Sequence, residues 1–447
     1  MRFAIIAAIG AAVAGFLPVA HARKPPADTG LNAVNQWIGR HILPYRITTT
    51  YETGALDTVN RQPPEQALAL CSFDLPVTHT AWPALTQYRR AMLYDTALGV
   101  IYLSLTGQHA KAHGLLLTME HLQNRDGSIG FGWNTEGDGF LNSGYVRTGA
   151  NAWAGYAAVI YERTSGSKRF QPFAEKVADF VLSRQVDGRK RPDDPRRGLV
   201  TGGRGLWAAD YSRFDANAEA EWACTEHAVD SYFLLRDLGR ISGSDRYTRA
   251  AQALKGAMLR ALWCQEEGRF FAAIAPDGQP DRDHPLDASS WGGIFLAAIG
   301  EKDKARRALE YVERTYRSTA CGVKGYKPYA RQYANHPVED WDPIQVVWSE
   351  GSLGVAYAYW RLGDVARSLE IERQVVAGMQ LADGGVRYSI YGDDLALPDA
   401  AVARMAGHKP TDPLADFVRC PTAAGTIWLG LVQWSRARKS DTFWGPD

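Results

Sequence analysis

The chain has 447 residues, of which 46% are hydrophobic and 22% charged, the proportions of a soluble globular protein. That balance excludes a disordered chain, a collagen-like fibre and a disulfide-dense miniprotein. A formal charge of +1 argues against nucleic acid or an anionic membrane as main partner. The 14 Trp and 20 Tyr stand out, because each pairs a flat apolar face with one polar group, a shape that suits sugar rings as well as cores.

Residues 1–22 read as a signal peptide. Arg2 supplies the positive start, residues 4–20 are apolar and small, and Ala20-His21-Ala22 fits a small-x-small cleavage site. The stretch is short and rich in Ala and Gly for a membrane span, and Arg23-Lys24-Pro25-Pro26 follows it. The expectation is cleavage, no stable membrane insertion, a periplasmic or secreted product, and one domain over residues 23–447. Losing Arg2 leaves equal numbers of basic and acidic residues. The five cysteines have no C-x-x-C spacing, and an exported chain accommodates one or two disulfides of open connectivity.

Six segments are apolar all round with helical period, the pattern of buried helices. They are Tyr94–Leu105, Thr148–Glu162, Thr225–Gly239, Asp287–Ile299, Trp348–Gly363 and Pro421–Trp434. Amphipathic helices alternate with them: Leu31–His41, His109–Gln123, Phe170–Gln185, Tyr247–Trp263, Lys302–Arg317 and Val365–Met379. Gln…Gly endings recur after the outer segments at Gln123…Gly127, Gln185…Gly188, Gln265…Gly268 and Gln380…Gly384. Glycine there supplies the left-handed turn that stops a helix. Leu238-Gly239 reads as one of the inner-to-outer turns. Twelve alternating helices predict an all-α, (α/α)6 barrel, with an inner ring inside an outer one. The long connections 124–147, 186–224, 264–286, 318–347 and 381–420 then gather over the N-terminal ends of the inner helices.

At these starts the sequence resembles the six-hairpin glycosidase superfamily of carbohydrate-active (α/α)6 barrels. Thr225-Glu226-His227-Ala228-Val229-Asp230 carries the resemblance most sharply, followed by Asp287-Ala288-Ser289-Ser290-Trp291 and Trp348-Ser349-Glu350-Gly351. The resemblance implies acid/base chemistry on a carbohydrate at the mouth of the inner ring, in a glycoside hydrolase acting on an oligo- or polysaccharide. A lyase or epimerase on the same barrel, and a non-catalytic glycan-binding or polymer-secretion protein, are the alternatives.

Glycoside hydrolysis needs two carboxyl groups, one protonated and one ionised. Carboxylates in otherwise apolar helix starts are the candidates: Glu226 as general acid, Asp287 or Glu350 as base, and Asp230 one turn beyond Glu226 on the same helix face. Thr225 and Asp287 also read as helix N-caps. Candidate sugar contacts are Trp133, Glu136, Asp138, Arg147, Trp153, Trp207, His227, Trp291, Trp341, Asp342 and Trp348. The Glu136–Asp138 loop lacks the spacing of an EF-hand, so neither metal nor cofactor is expected. No Gly-x-Ser-x-Gly elbow, P-loop or His-Glu-x-x-His motif occurs. The chain is expected to act as a monomer.

Overall fold

The computed structural model describes residues 29–47, 62–75, 89–136, 144–207, 213–331, 340–392 and 419–447. The segment read as a signal peptide lies outside them, as does Asp138. Twelve α-helices occur among the described residues. Six are inner: α2 (Leu93–Leu105), α4 (Thr148–Ser165), α6 (Thr225–Ser242), α8 (Leu286–Ala298), α10 (Ser349–Arg361) and α12 (Ala423–Arg438). Six are outer: α1 (Thr29–His41), α3 (His109–His121), α5 (Gln171–Ser183), α7 (Asp245–Ala257), α9 (Lys302–Thr315) and α11 (Val365–Met379). Each inner helix packs on the next, and α12 returns to α2, so the ring closes. Every inner helix also packs chiefly on one outer helix; for α12 that partner is α1, far away in the sequence.

Apolar patterning explains the two layers. The inner helices α2 and α8 are buried at nearly every position. In the outer α9, buried Ala305, Ala308, Leu309 and Val312 form one stripe, at the spacing of a helix with one face on the core.

Glycine punctuates both kinds of turn. Gly107, Gly166, Gly243, Gly300 and Gly363 take left-handed φ values of 68–86° just beyond inner helices, where a side chain costs strain. The turn after α6 is therefore at Gly243. Gly239 lies within the helix, because the left-handed residue comes four positions later than the sequence reading placed it. After outer helices, Gly127, Gly268 and Gly384 are left-handed as expected, but Gly188 is not. In that repeat the role passes to Gly198 at φ 85°. Each of these left-handed glycines leans on the next outer helix. A Cβ on Gly127 would sit 2.1 Å from the Lys176 carbonyl oxygen, and one on Gly384 2.2 Å from that of Ala33.

The long connections, read from sequence as loops, carry short antiparallel strands. Arg90–Met92 pairs with Gly132–Asn134, Ala223–Cys224 with Ala273–Ile274, and Val346–Trp348 with Ser389–Tyr391. In each case the strand before an inner helix meets the strand after the outer helix that follows. The pattern fixes the rim. The first N–H of every inner helix (Leu93, Thr148, Thr225, Leu286, Ser349 and Ala423) donates to a carbonyl of its partner segment, at 2.8–3.1 Å. Helix-terminal donors that burial would otherwise orphan are thus satisfied six times by the same device.

The other end of the ring is filled by residues 440–447. Phe443 and Trp444 are fully buried. Trp444 packs 4.7 Å from Trp153 and 4.9 Å from Phe233. Its N–H donates to the Tyr156 hydroxyl, and the Tyr357 hydroxyl donates to the Phe443 carbonyl. No helix among the described residues is long and apolar enough to cross a membrane.

Candidate active site

One helical position builds the site. Counting Cys224, Pro285 and Trp348 as N-caps, the second residue of α6, α8 and α10 is Glu226, Asp287 and Glu350. Three consecutive inner helices therefore aim a carboxyl at the ring axis from the same level. The equivalent residues of α2 and α12 are Tyr94 and Ala424, and these five line one cavity of about 400 Å³. In α4 the position is Gly149, and His227 and Asp230 of α6 fill its space; a Cβ there would lie 2.4 Å from His227 Cδ2. Asp95, one residue further along α2, adds a fourth carboxyl to the cavity. Thr225 and Asp287 are thus inside their helices rather than capping them. The Cys224 sulfur caps α6, accepting from the His227 N–H.

Phe73, Phe131, Tyr329, Tyr388, Trp291 and Trp348 supply aromatic walls. Below Trp291 lies a cluster with Trp153, Trp428 and Trp444. Trp291 and Trp428 stack at 6.1 Å, and Trp153 meets Trp291 edge-on at 5.8 Å. Trp444 belongs to residues 440–447, so the cluster joins the cavity wall at Trp291 to the C-terminal plug.

The carboxyls ionise reluctantly. Glu226 is solvent-accessible through the cavity, yet enough protein surrounds it that burial raises its pKa to about 7. Asp287 is pushed well above the carboxylate range by burial and then by the charges of Glu226 and Glu350. Glu350 is 5% exposed, and burial lifts it to about 8 against the opposing hydrogen bond from Tyr94. Burial lifts Asp95 to about 7, with Ser72 opposing. The Tyr94 hydroxyl donates to Glu350 Oε1 at 2.6 Å and accepts from Trp428 Nε1 at 2.7 Å. Since Trp428 can only donate, its bond leaves the Tyr94 hydrogen free for Glu350.

Of the sequence candidates, Glu226, Asp287, Glu350, Trp291 and Trp348 line the same cavity. Several other candidates do not line the cavity. Asp230 sits beneath Glu226, 3% exposed, its pKa raised by burial and then by Glu226 and Asp287. His227 is buried and held neutral, its pKa lowered to about 3 by burial and by Arg147. Arg147 lies over the Tyr145 ring at 3.7 Å and donates to the carbonyls of Val146, Arg204 and Gly205. Trp153 belongs to the floor cluster. Trp133 and Trp341 are core residues, 1% and 0% exposed. Glu136 pairs with Arg89 at 2.5 Å. Exposed Asp342 accepts from the Arg331 N–H and approaches Lys327. Trp207 ends a rim strand, and its side chain is outside the described structure. The aromatic walls Phe73, Phe131, Tyr329 and Tyr388 were not anticipated; their positions follow from rim pairing, which leaves no periodic signal. Among the described residues no group of three or more His, Cys, Asp or Glu is arranged to hold a metal ion.

No family model and no curated protein matches the chain by sequence. Solved structures match its fold. A glycosidase solved in complex with glucose is 13% identical with a TM-score of 0.56, over 91% of this chain and 96% of that one. A D-mannose isomerase is 10% identical at 0.57, over 93% and 100%. A family 76 glycoside hydrolase (mannosidase) from Bacteroides thetaiotaomicron is 8% identical at 0.55, over 92% and 100%. Likeness at such identity is one of backbone, so the chemistry has to be argued from this chain's own residues. The fold is an (α/α)6 barrel, the architecture that these solved structures share with this chain.

Proposed function

We propose that this protein is a glycoside hydrolase acting on a neutral sugar ring seated over the N-terminal ends of α6, α8 and α10. The observation that carries the reading is the convergence of Glu226, Asp287 and Glu350 in one aromatic-lined cavity. Neighbouring carboxyls in a confined site cannot all ionise, so protonated and ionised forms coexist there near neutral pH. That is the pair of states hydrolysis requires.

Tyr94 orients Glu350. Its hydrogen bond to Glu350 Oε1 opposes the burial that holds this carboxyl protonated to about pH 8, and Glu350 acts as base in its ionised form. The active form is the one in which the neighbouring carboxyls leave a proton on Glu226, itself raised to about 7 by burial, which delivers it to the leaving oxygen. Asp287, between them in the ring, holds a sugar hydroxyl. Trp291, Trp348, Tyr329 and Tyr388 supply faces for the ring's C–H surface. The substrate is neutral because the described lining contains no Lys, Arg or His, and four carboxyls repel an anionic sugar. A lyase would need a cation to hold a uronate carboxylate, and the two arginines nearest that role are engaged elsewhere: Arg147 with backbone carbonyls and Arg204 with Asp126.

The test is a panel of neutral glycans, with reducing ends and product identity read together. Glu226→Gln is expected to keep the fold and lose about 10²–10⁴-fold in kcat. An unchanged rate removes Glu226 from the mechanism; sugar interconversion without new reducing ends moves the activity to an isomerase. The proposal includes export, resting on residues 1–22. The exported product is expected to begin at Arg23 on N-terminal sequencing, and an uncleaved cytoplasmic chain would contradict it.

A further inference from the structure

A second concavity, of about 550 Å³, lies between the C-terminal ends of α5 and α7. Leu182, Val186 and Ala253 give it apolar lining, and Arg189, Arg197 and Arg260 enter it. Two departures from the repeat pattern build it. In the first and fifth outer hairpins a Gln side chain donates to the carbonyl of a Gly 4 residues on. In the second the same bond, Gln185 Nε2 to the Gly198 carbonyl at 2.8 Å, spans 13 residues. The extra chain carries Arg189, Lys190, Arg191, Arg196 and Arg197. On the facing side, α7 runs into a π-helix at Met258–Leu262, which contains Arg260. Such turns are rare and concentrate at functional sites.

The arginines are not balanced from within. Arg260 Nη2 donates to the Arg197 carbonyl at 2.6 Å, and Arg197 Nη1 to the Pro192 carbonyl at 3.1 Å. Neither guanidinium has a carboxylate within ion-pair distance among the described residues. Burial and then the charge of Arg197 lower the pKa of Arg260, so two like charges share a recess over apolar side chains. Asp187, the carboxylate at the pocket, is taken by the N–H and Nε of Arg189. Arg196, by contrast, is consumed by Asp194 and the Glu221 carbonyl.

We propose that this recess binds an oxyanion of the phosphate or sulfate class, gripped by the guanidinium forks of Arg197 and Arg260, with Arg189 closing over it. Planar forks match the oxygens of such groups two at a time. The anion comes either free or as an ester on a polymer, and the site is separate from the carboxyl cavity, so it stands whether or not the protein hydrolyses glycosides.

The test is calorimetric titration and thermal shift of the whole protein with inorganic phosphate and sulfate at fixed ionic strength. Saturable binding is expected, and Arg197→Gln combined with Arg260→Gln is expected to raise Kd by about tenfold or more. Lys at both positions keeps the charge, loses the fork and is expected to fall between. A sulfated polysaccharide binding more than about tenfold tighter than the inorganic ion identifies a polymer-borne ester; equal affinity identifies the free anion. No saturable binding by any of these anions, or equal binding in the Gln pair and the native protein, overturns the proposal.

Discussion

Glu350 carries a stability cost that its setting makes measurable. Its carboxyl stays protonated to about pH 8 in the folded chain, against an ordinary value of 4.5. Between those values the folded state holds more protons than the unfolded one. Stability therefore falls as pH rises through this window, and the loss is complete above pH 8. Glu350→Gln removes the titrating group and keeps an acceptor for Tyr94. It is expected to gain about 1–2 kcal/mol at pH 8.5 and almost nothing at pH 4, read from denaturant melts at the two pH values. A gain that is constant or shrinks with pH would mean that Glu350 is not held protonated. Acidic residues inside apolar helix starts are conspicuous in a sequence for the reason they are costly in the fold, and Glu226, Asp287 and Glu350 were legible on that ground. Trp133 and Trp341 misled, because an aromatic beside a Gly-rich connection has the same local sequence whether it faces a sugar or the core.

Helices α4 and α6 meet where α4 has Gly149 at the level at which α6, α8 and α10 carry their carboxyls. A Cβ there would lie 2.4 Å from His227 Cδ2 and 2.7 Å from Asp230 Oδ2, both on the helix that bears Glu226. Gly149→Ala is expected to cost about 1–3 kcal/mol and to lower kcat by displacing α6. Chemical denaturation and steady-state rates on the same variant check both, and an unperturbed pair would show that α6 has room to yield. The alternation of buried and amphipathic helices was legible because a 3.6-residue period repeats over several turns in each. Most rim strands were not, since runs of two to four residues paired across long separations carry no period; the longer Phe214–Ala220 does alternate apolar and polar residues. The same pairing sets the aromatic walls, so Phe73, Phe131, Tyr329 and Tyr388 escaped notice with it. The Gln…Gly endings were legible as stops. The nine-residue enlargement of the second one misplaced its left-handed glycine, assigned to Gly188 and found at Gly198.

At the scale of the molecule, the sequence shows six helical pairs but not how the ring is sealed. The seal joins the two ends of the described chain. Helix α1 covers α12, while Arg40 reaches the Asp383 carbonyl at 2.8 Å. At the other end, Arg236 donates to the Gly445 carbonyl at 2.7 Å, and the Asp447 N–H to that of Ala298 at 2.9 Å. Trp444 stands behind Trp153 and Trp291, so the floor of the carboxyl cavity rests on this last segment. This has a consequence for biogenesis. While the chain is still emerging from the ribosome, neither α12 nor the plug exists, and the earlier inner helices have an unsealed apolar face. Closure waits for contacts between the most distant parts of the sequence, the slowest kind to form. Until α12 and residues 440–447 have been made, the nascent barrel is therefore a partly assembled, aggregation-prone arc, a natural client for holding chaperones.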